Sequence, residues 1–134
     1  MDVAELKETF TFFDNWEDKY RFVIDLGKEL EDIPAADKVE ANLIRGCQSQ
    51  VWLTHQPNED GTLSFKLDSD AFIVRGLISI VLTALNNKTP NDILEFDIYA
   101  LFEDLELLQH LSQTRGNGLR AMIARIRDIA ERLQ

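Results

Sequence analysis

The sequence predicts an α+β domain in which a three-stranded antiparallel sheet packs against helices. On both sides of a turn at 58–61, apolar and polar residues alternate with the period of a strand hairpin. A strongly apolar stretch at 71–86 has the spacing of a buried helix, and helical spacing recurs near both ends of the chain. Strands and helices are therefore segregated along the chain, which is typical of α+β domains.

One domain spanning 1–134 is expected, because 134 residues with an apolar share of 45% can form one hydrophobic core. No apolar stretch reaches the ~18 residues that a membrane helix needs. The net charge of −10 argues against binding to nucleic acids or anionic membranes, since both rely on basic residues that neutralise phosphates. The N-terminus has no basic segment followed by an apolar one, so we expect a cytoplasmic protein in a reducing compartment.

The N-terminal region is predicted to be helical. Apolar residues recur at helical spacing between residues 16 and 27, and Asp14 or Asn15 can cap the helix. Pro34 ends this helix, and a loop follows it.

The sheet is predicted from the next part of the chain. Residues 50–55 and 62–67 alternate apolar and polar side chains and form the hairpin. The segment 39–44 is expected to pair with them as a third strand. Cys47 then lies in the turn between this third strand and the hairpin, where a loop can expose or move its side chain.

The C-terminal half is predicted to consist of helices. Ser69 or Asp70 is expected to cap the apolar helix at 71–86, which is predicted to be the central buried helix. Thr89 and Pro90 are typical of the start of a short helix.

Two further helices complete the prediction. One covers residues 98–105, and the last is opened by a turn at Gly116, Asn117 and Gly118. Its apolar face recurs with the helical period and consists of Leu119, Met122, Ile123, Ile126, Ala130 and Leu133.

Cys47 is the only cysteine in the chain. A lone cysteine closes no intrachain disulfide and cannot supply the several thiolates of a structural zinc or iron–sulfur site. It is therefore either a packed apolar residue or a single reactive thiol. Gly46 permits a sharp turn and Arg45 would lower the pKa of a nearby thiol, so these neighbours favour the reactive thiol without excluding the packed residue.

Other chemistry would depend on two histidines and two arginines. A cysteine hydrolase needs a histidine base beside Cys47, and only His55 and His110 are present. Two histidines without close ligand spacing give no recognisable metal site, and a glycine-rich phosphate loop is absent, so no cofactor is predicted. Arg75 and Arg115 either pair with carboxylates that connect elements, or one of them points toward the Cys47 loop.

Three separated blocks resemble a known family. They are RGCQSQVW (45–52), DSDAFIVRGL (68–77) and LSQTRGNGL (111–119). In this order they resemble the SufE family, which includes the closely similar CsdE proteins, and the resemblance runs from about Phe12 to the C-terminus. Each block alone would be weak, whereas the three together are specific.

The resemblance implies a persulfide carrier. Members of the family take sulfur from a cysteine desulfurase that depends on pyridoxal phosphate, stimulate that enzyme and pass the sulfur to an iron–sulfur scaffold. Their one essential cysteine is matched here by Cys47. Their fold is α+β and similar to that of the IscU scaffold proteins, and their cysteine lies on a loop with its side chain in an apolar pocket. This chain would then be a sulfur-transfer partner and not an enzyme.

The partner implied by the resemblance is a desulfurase of the Suf type (SufS) or the Csd type (CsdA), and the protein is expected to be a monomer or a homodimer. Candidate partner-binding residues are Arg45, Gly46, Gln48, Asp70, Arg75 and Arg115. Two alternatives remain open from the residues themselves. One is a stand-alone cysteine-dependent enzyme that uses Cys47 with His55 or His110, and the other is an acidic adaptor in which Cys47 is only packed.

Overall fold

The computed structural model describes residues 1–134 and confirms the predicted α+β class, with six α-helices and one two-stranded antiparallel sheet. The helices are α1 (Val3–Phe12), α2 (Trp16–Glu29), α3 (Phe72–Leu85), α4 (Pro90–Glu95), α5 (Ile98–Asp104) and α6 (Gln113–Arg132). The strands are β1 (Val51–Pro57) and β2 (Leu63–Ser69). None of the helices combines the length and the apolar character that crossing a bilayer requires.

Strands β1 and β2 form the predicted hairpin. They pair in register from Val51 opposite Ser69 to Pro57 opposite Leu63. Gly61 in the connecting turn has a φ of +88°, a conformation that glycine adopts without steric cost. One side of β2 packs into the core through Leu63, Phe65 and Leu67.

The third strand predicted at 39–44 is absent. Residues Glu40–Asn42 form a 3₁₀ turn in which the Leu43 amide donates to the Glu40 carbonyl at 3.1 Å. The Asn42 side chain donates to the carbonyl of Asp37 at 2.8 Å. These local hydrogen bonds curl the chain, so Leu43 forms only an isolated bridge to Trp52 of β1.

Two predicted helix starts are confirmed. The Asn15 side chain accepts a hydrogen bond from the Asp18 amide at 2.9 Å, and α2 begins at the next residue. The hydroxyl of Thr89 accepts from the Asp92 amide at 3.1 Å, with Pro90 at the first position of α4.

The predicted cap of α3 is wrong. Ala71 precedes the helix, and no side chain caps it. Asp70 is engaged elsewhere, because its carboxylate accepts a hydrogen bond from the amide of Gln50 at 3.1 Å. The start of the helix thereby becomes linked to the end of the Cys47 loop.

The predicted turn at 116–118 is also wrong. Helix α6 begins at Gln113, where the hydroxyl of Ser112 accepts from the Arg115 amide at 3.2 Å. Because this serine satisfies an amide of the first turn, the helix continues through both glycines. Gly118 therefore lies on a helix and not in a loop.

Helix α3 packs against α2 with their backbones in contact. A Cβ atom on Gly76 would lie 2.1 Å from the carbonyl oxygen of Val23, and one on Gly27 would lie 2.5 Å from that of Phe72. Only glycine fits at these two positions, so the close approach depends on both. Nine of the fourteen residues of α3 are buried, which confirms the prediction of a central buried helix, although Phe72 in its first turn is 59% exposed.

A buried carboxylate connects the sheet to α3 and to the loop after α2. Asp68 is 0% exposed, pairs with Arg75, and accepts hydrogen bonds from the amides of Ile33 at 3.1 Å and Ser69 at 2.8 Å. Lys38 lies 3.4 Å from its other oxygen. Burial would raise the pKa of Asp68, but these hydrogen bonds and cations outweigh it and hold the pKa below its usual value.

Candidate functional site

Cys47 lies on the loop that leads from the Leu43 bridge into β1. Gly46 has a φ of +92°, which turns the chain sharply just before the cysteine. The loop rests on α6, because a Cβ atom on Gly46 would lie 3.6 Å from the side chain of Ala121. The Cys47 side chain is half-buried, and its Sγ atom donates to the carbonyl oxygen of Gly118 at 3.6 Å.

Three elements form an apolar pocket around the Cys47 side chain. Its apolar walls are Val51 from β1, Val74 and Leu77 from α3, and Leu119 and Met122 from α6. The cavity measures about 20 Å³. A cavity needs about 10–15 Å³ to hold one water molecule, so this pocket has room for one additional small group beside the sulfur.

Hydrogen bonds hold the loop at Ser49 and Gln50, the two residues that lead into β1. The Arg115 guanidinium of α6 donates to the hydroxyl of Ser49 at 2.9 Å. The Asp70 carboxylate accepts from the amide of Gln50 at 3.1 Å, and the Asp70 amide donates back to the Gln50 carbonyl at 3.4 Å. The segment that carries Cys47 is therefore fastened both to α6 and to the end of the hairpin.

Because Gly118 has no side chain, the Cys47 side chain can lie directly against this part of α6. A Cβ atom at this position would lie 3.6 Å from Sγ and 3.9 Å from Cβ of Cys47, both ordinary van der Waals distances. A methyl group would just fit, whereas a larger side chain would displace the cysteine. The residue at position 118 thus determines how deeply the sulfur is seated.

The Cys47 thiol is held in its neutral form. Burial raises the pKa of the thiol above its usual value, because the thiolate loses solvation in the apolar pocket. The expectation that Arg45 lowers this pKa is wrong. Arg45 instead points into solvent with its side chain 85% exposed, and its guanidinium lies 3.4 Å from the Glu40 carboxylate.

The structure does not bring a histidine to Cys47. The Cys47 pocket contains neither histidine among its lining residues. The His110 ring stacks on Trp16 with centroids 3.6 Å apart and donates from Nδ1 to the Glu106 carbonyl at 2.9 Å. His55 is exposed on β1. Nowhere are three or more His, Cys, Asp or Glu side chains placed to hold a metal ion.

The candidate partner-binding residues fall into two groups. Gly46, Gln48, Asp70 and Arg115 belong to the Cys47 loop or hold it, and Arg45 is exposed beside it. Arg75 is different, because it is only 9% exposed.

The Arg75 guanidinium is occupied inside the protein. It donates to the Gly27 carbonyl at 2.9 Å and forms ion pairs with Asp68 and, at 2.9 Å, with Asp32. This arginine therefore supports the packing of α3 against α2, and its guanidinium is bound mainly by groups of the protein itself.

Sequence reasoning missed Ser49 and the apolar residues of the pocket. The sequence pattern assigns Val74 and Leu77 only to the core, and Met122 only to the face of the last helix. One signal was available, because Arg115, Gly118 and Met122 share one face once α6 is taken to begin after Ser112.

Comparisons with known proteins identify similar sequences and a similar fold. An uncharacterized SufE-like protein of Rhizobium meliloti (strain 1021) is 45% identical over 130 residues, which cover 95% of this chain and 93% of that protein. One of Rhizobium etli is 43% identical over 130 residues, covering 95% and 88%. The solution structure of a hypothetical protein from Thermus thermophilus has the same fold, with a TM-score of 0.77 at 16% identity over 98% of this chain and 94% of that one.

The family comparison covers nearly the whole sequence. The model described as SufE, an Fe-S metabolism associated domain, matches residues 4–130. Both relatives cover the same extent of the chain and carry the same family name. The chain therefore belongs to the SufE family, whose domain is associated with iron–sulfur metabolism.

Proposed function

We propose that this protein accepts a sulfur atom on Cys47 from the persulfide of a pyridoxal-phosphate-dependent cysteine desulfurase, stimulates that desulfurase, and passes the sulfur to an iron–sulfur scaffold. The observation that carries the proposal is the single thiol in an apolar cavity of about 20 Å³, on a loop held by hydrogen bonds. Membership of a family associated with iron–sulfur metabolism supports it. The partner is a desulfurase of the Suf or Csd type, and the exchange takes place in the cytoplasm.

The transfer is a thiol–persulfide exchange. The Cys47 thiolate attacks the terminal sulfur of the donor persulfide, a new S–S bond forms on Cys47, and the S–S bond of the donor breaks. The donor sulfur leaves as a thiolate and takes up the proton that Cys47 released. The terminal sulfur moves without an external oxidant or reductant.

The pocket matches what a carrier of one sulfur atom requires. Its free volume admits one small group beside Sγ, so a terminal sulfur can be enclosed by Val74, Leu77 and Met122. Enclosure keeps small thiols from attacking the persulfide before the scaffold does. Because Cys47 is the only cysteine, no second thiol in the chain can resolve the persulfide into a disulfide.

The resting state favours protection over reactivity. The thiol is half-buried and donates a hydrogen bond to the Gly118 carbonyl. Because burial also raises its pKa, few molecules carry a thiolate at neutral pH. Docking of the desulfurase must release the loop or supply the base. Arg45, Gly46, Gln48, Asp70 and Arg115 are the residues that we expect to contribute to this step.

The experiment is an intact-mass measurement after incubation with the desulfurase, pyridoxal phosphate and cysteine. We expect an adduct of one sulfur atom that maps to Cys47, and no adduct on Cys47→Ser, which should still bind the desulfurase. A wild-type protein that gains no sulfur would overturn the proposal. Turnover of a small substrate by Cys47 without any partner would instead identify a stand-alone enzyme, a role for which no histidine lies in the pocket.

A further inference from the structure

We propose that an open groove beside the Cys47 loop binds an acidic segment of the cysteine desulfurase that donates sulfur to Cys47, an inference that rests on the function proposed above. The groove lies between residues 40–45 and α6 and measures about 980 Å³. It is separate from the small cavity that holds the Cys47 side chain.

The groove and the cysteine pocket occupy neighbouring faces of α6. Gly118 and Met122 line the pocket, whereas Ala121 and Ala124 line the groove, and Gly46 of the cysteine loop rests on Ala121. Sulfur transfer requires direct contact between the two reacting sulfur atoms. Because a stable protein interface buries about 800 Å² on each partner, a partner that reaches Cys47 extends well beyond the small cavity, and the groove is the adjoining depression on the same helix.

The floor of the groove is apolar and free of large side chains. It consists of Leu43 and Ile44 from the chain before Cys47 and of Ala121 and Ala124 from α6. Small residues on α6 leave a depression into which a side chain of a partner can insert. Such a depression, surrounded by charged groups, is the arrangement that protein interfaces place at their energetic centre.

Two arginines with weak ion pairs lie at the edge of the groove. Arg45 lies 3.4 Å from Glu40, and both side chains are more than 80% exposed, so this pair is weak. Arg125 lies 4.0 Å from Asp128, while Arg132 approaches the same oxygen to 3.0 Å. Asp128 is therefore held mainly by Arg132, and the guanidinium groups of Arg45 and Arg125 remain available to carboxylates of a partner.

The surrounding charge favours an acidic occupant. Helix α6 carries five arginines and two acidic residues, in a chain whose net charge is −10. Arg115 adds a cation at the mouth of the neighbouring pocket. The groove lining is balanced, with Arg45 and Arg125 against Glu40 and Asp128, so the excess of positive charge comes from the rest of α6. This excess attracts an acidic partner segment toward the helix that borders both the groove and the cysteine pocket.

The test uses charge reversal with a matched control. Arg45→Glu and Arg125→Glu each change the net charge by the same amount as Lys66→Glu, a change on an exposed residue of β2 outside the groove. At low ionic strength we expect each groove variant to raise the Kd for a Suf-type cysteine desulfurase about tenfold, with a shallower dependence on salt. Lys66→Glu should leave the Kd close to the wild-type value.

Two further measurements separate the groove from the sulfur chemistry. Ala124→Tyr fills the groove floor without changing the charge and should weaken binding as well, with circular dichroism confirming the fold. At saturating desulfurase, Arg125→Glu should still gain one sulfur atom, because Cys47 is intact. Equal Kd values for Arg125→Glu and Lys66→Glu would overturn the groove proposal, whereas a wild-type protein that gains no sulfur would overturn the proposed function.

Discussion

The Cys47 thiol donates to the carbonyl oxygen of Gly118 across 3.6 Å, and this contact fixes the reactive atom against a helix. Since only the protonated sulfur can donate, the hydrogen bond favours the thiol over the thiolate. Burial acts in the same direction and raises the pKa. The side chain that must act as a nucleophile is therefore kept unreactive until the loop moves.

The first prediction concerns the pH dependence of Cys47 alkylation. In the free protein, the midpoint of the alkylation rate plotted against pH should lie above that of an ordinary cysteine, whose pKa is about 8.5. The reason is that burial raises the pKa of this thiol. Iodoacetamide kinetics followed from neutral to alkaline pH measure the midpoint directly.

Arg45 provides the control for that titration. Its guanidinium is exposed and pairs with Glu40, so Arg45→Ala should leave the midpoint unchanged. A midpoint below that of free cysteine would show that a cation reaches the sulfur after all. A midpoint that falls when the desulfurase is added would show that docking activates the thiol.

The second prediction concerns Gly118. Gly118→Val should push Cys47 out of its pocket and speed alkylation several-fold, because a Cβ atom alone already lies 3.6 Å from Sγ. Gly118→Ala should fold normally, since replacing a helical glycine by alanine gains up to about 1 kcal/mol. The methyl group would nevertheless occupy room that a terminal sulfur needs, so the persulfide should be lost faster to a small thiol.

The exposed neighbour Asn117 supplies the matched control on the same helix. Asn117→Ala should change neither the alkylation rate nor the lifetime of the persulfide, which mass spectrometry can follow. If Gly118→Val were alkylated at the wild-type rate, the seating of Cys47 against α6 would not be what protects it.

Local patterns in the sequence were sufficient for much of the fold. The hairpin follows from alternation on both sides of Gly61, and two helix starts follow from Asn15 and Thr89. The prediction of a third strand failed because the Asn42 side chain and the Glu40 carbonyl form local hydrogen bonds that curl the segment. Alternation and capping can be read from a few neighbouring residues. Whether a segment pairs as a strand or curls into a turn depends on individual hydrogen bonds that the pattern does not show.

The candidate site was only partly predictable for the same reason. Cys47 could be singled out because it is the only cysteine and follows a glycine. Leu77 and Met122 belong to helices that meet the loop only in the folded protein, so no local pattern marks them as pocket residues. Arg45 and Arg75 each lie within a family block, and only the folded structure shows that one is exposed and the other buried.

The third prediction concerns Asp68. Asp68→Asn should lower the free energy of unfolding by about 1.5–3 kcal/mol, because Arg75 loses its buried carboxylate partner and keeps only Asp32 as an ion-pair partner. The folded-state pKa of Asp68 is lowered, so its contribution is present above the usual Asp pKa of about 3.9 and is lost as the pH falls through the lower folded value. Urea denaturation at several pH values measures both effects.

Comparing the acid denaturation of wild type and variants should separate the contribution of Asp68 from that of the other carboxylates. Wild-type protein should lose stability in acid more steeply than Asp68→Asn, which no longer has the group that titrates. Asp25→Asn, at an exposed position on α2, should follow the wild-type curve. Parallel acid curves for wild type and Asp68→Asn would contradict the assignment.

The last prediction concerns the hydrogen bond from Arg115 to Ser49. Removing it with Arg115→Ala or Ser49→Ala should free the loop and raise the alkylation rate of Cys47 in the free protein about fivefold, the factor that corresponds to about 1 kcal/mol. Because the two residues act through one bond, the double variant should be no faster than either single variant. Arg120→Ala, on the same helix, controls for the loss of charge, and a double variant whose effects multiply would show that the two side chains act independently.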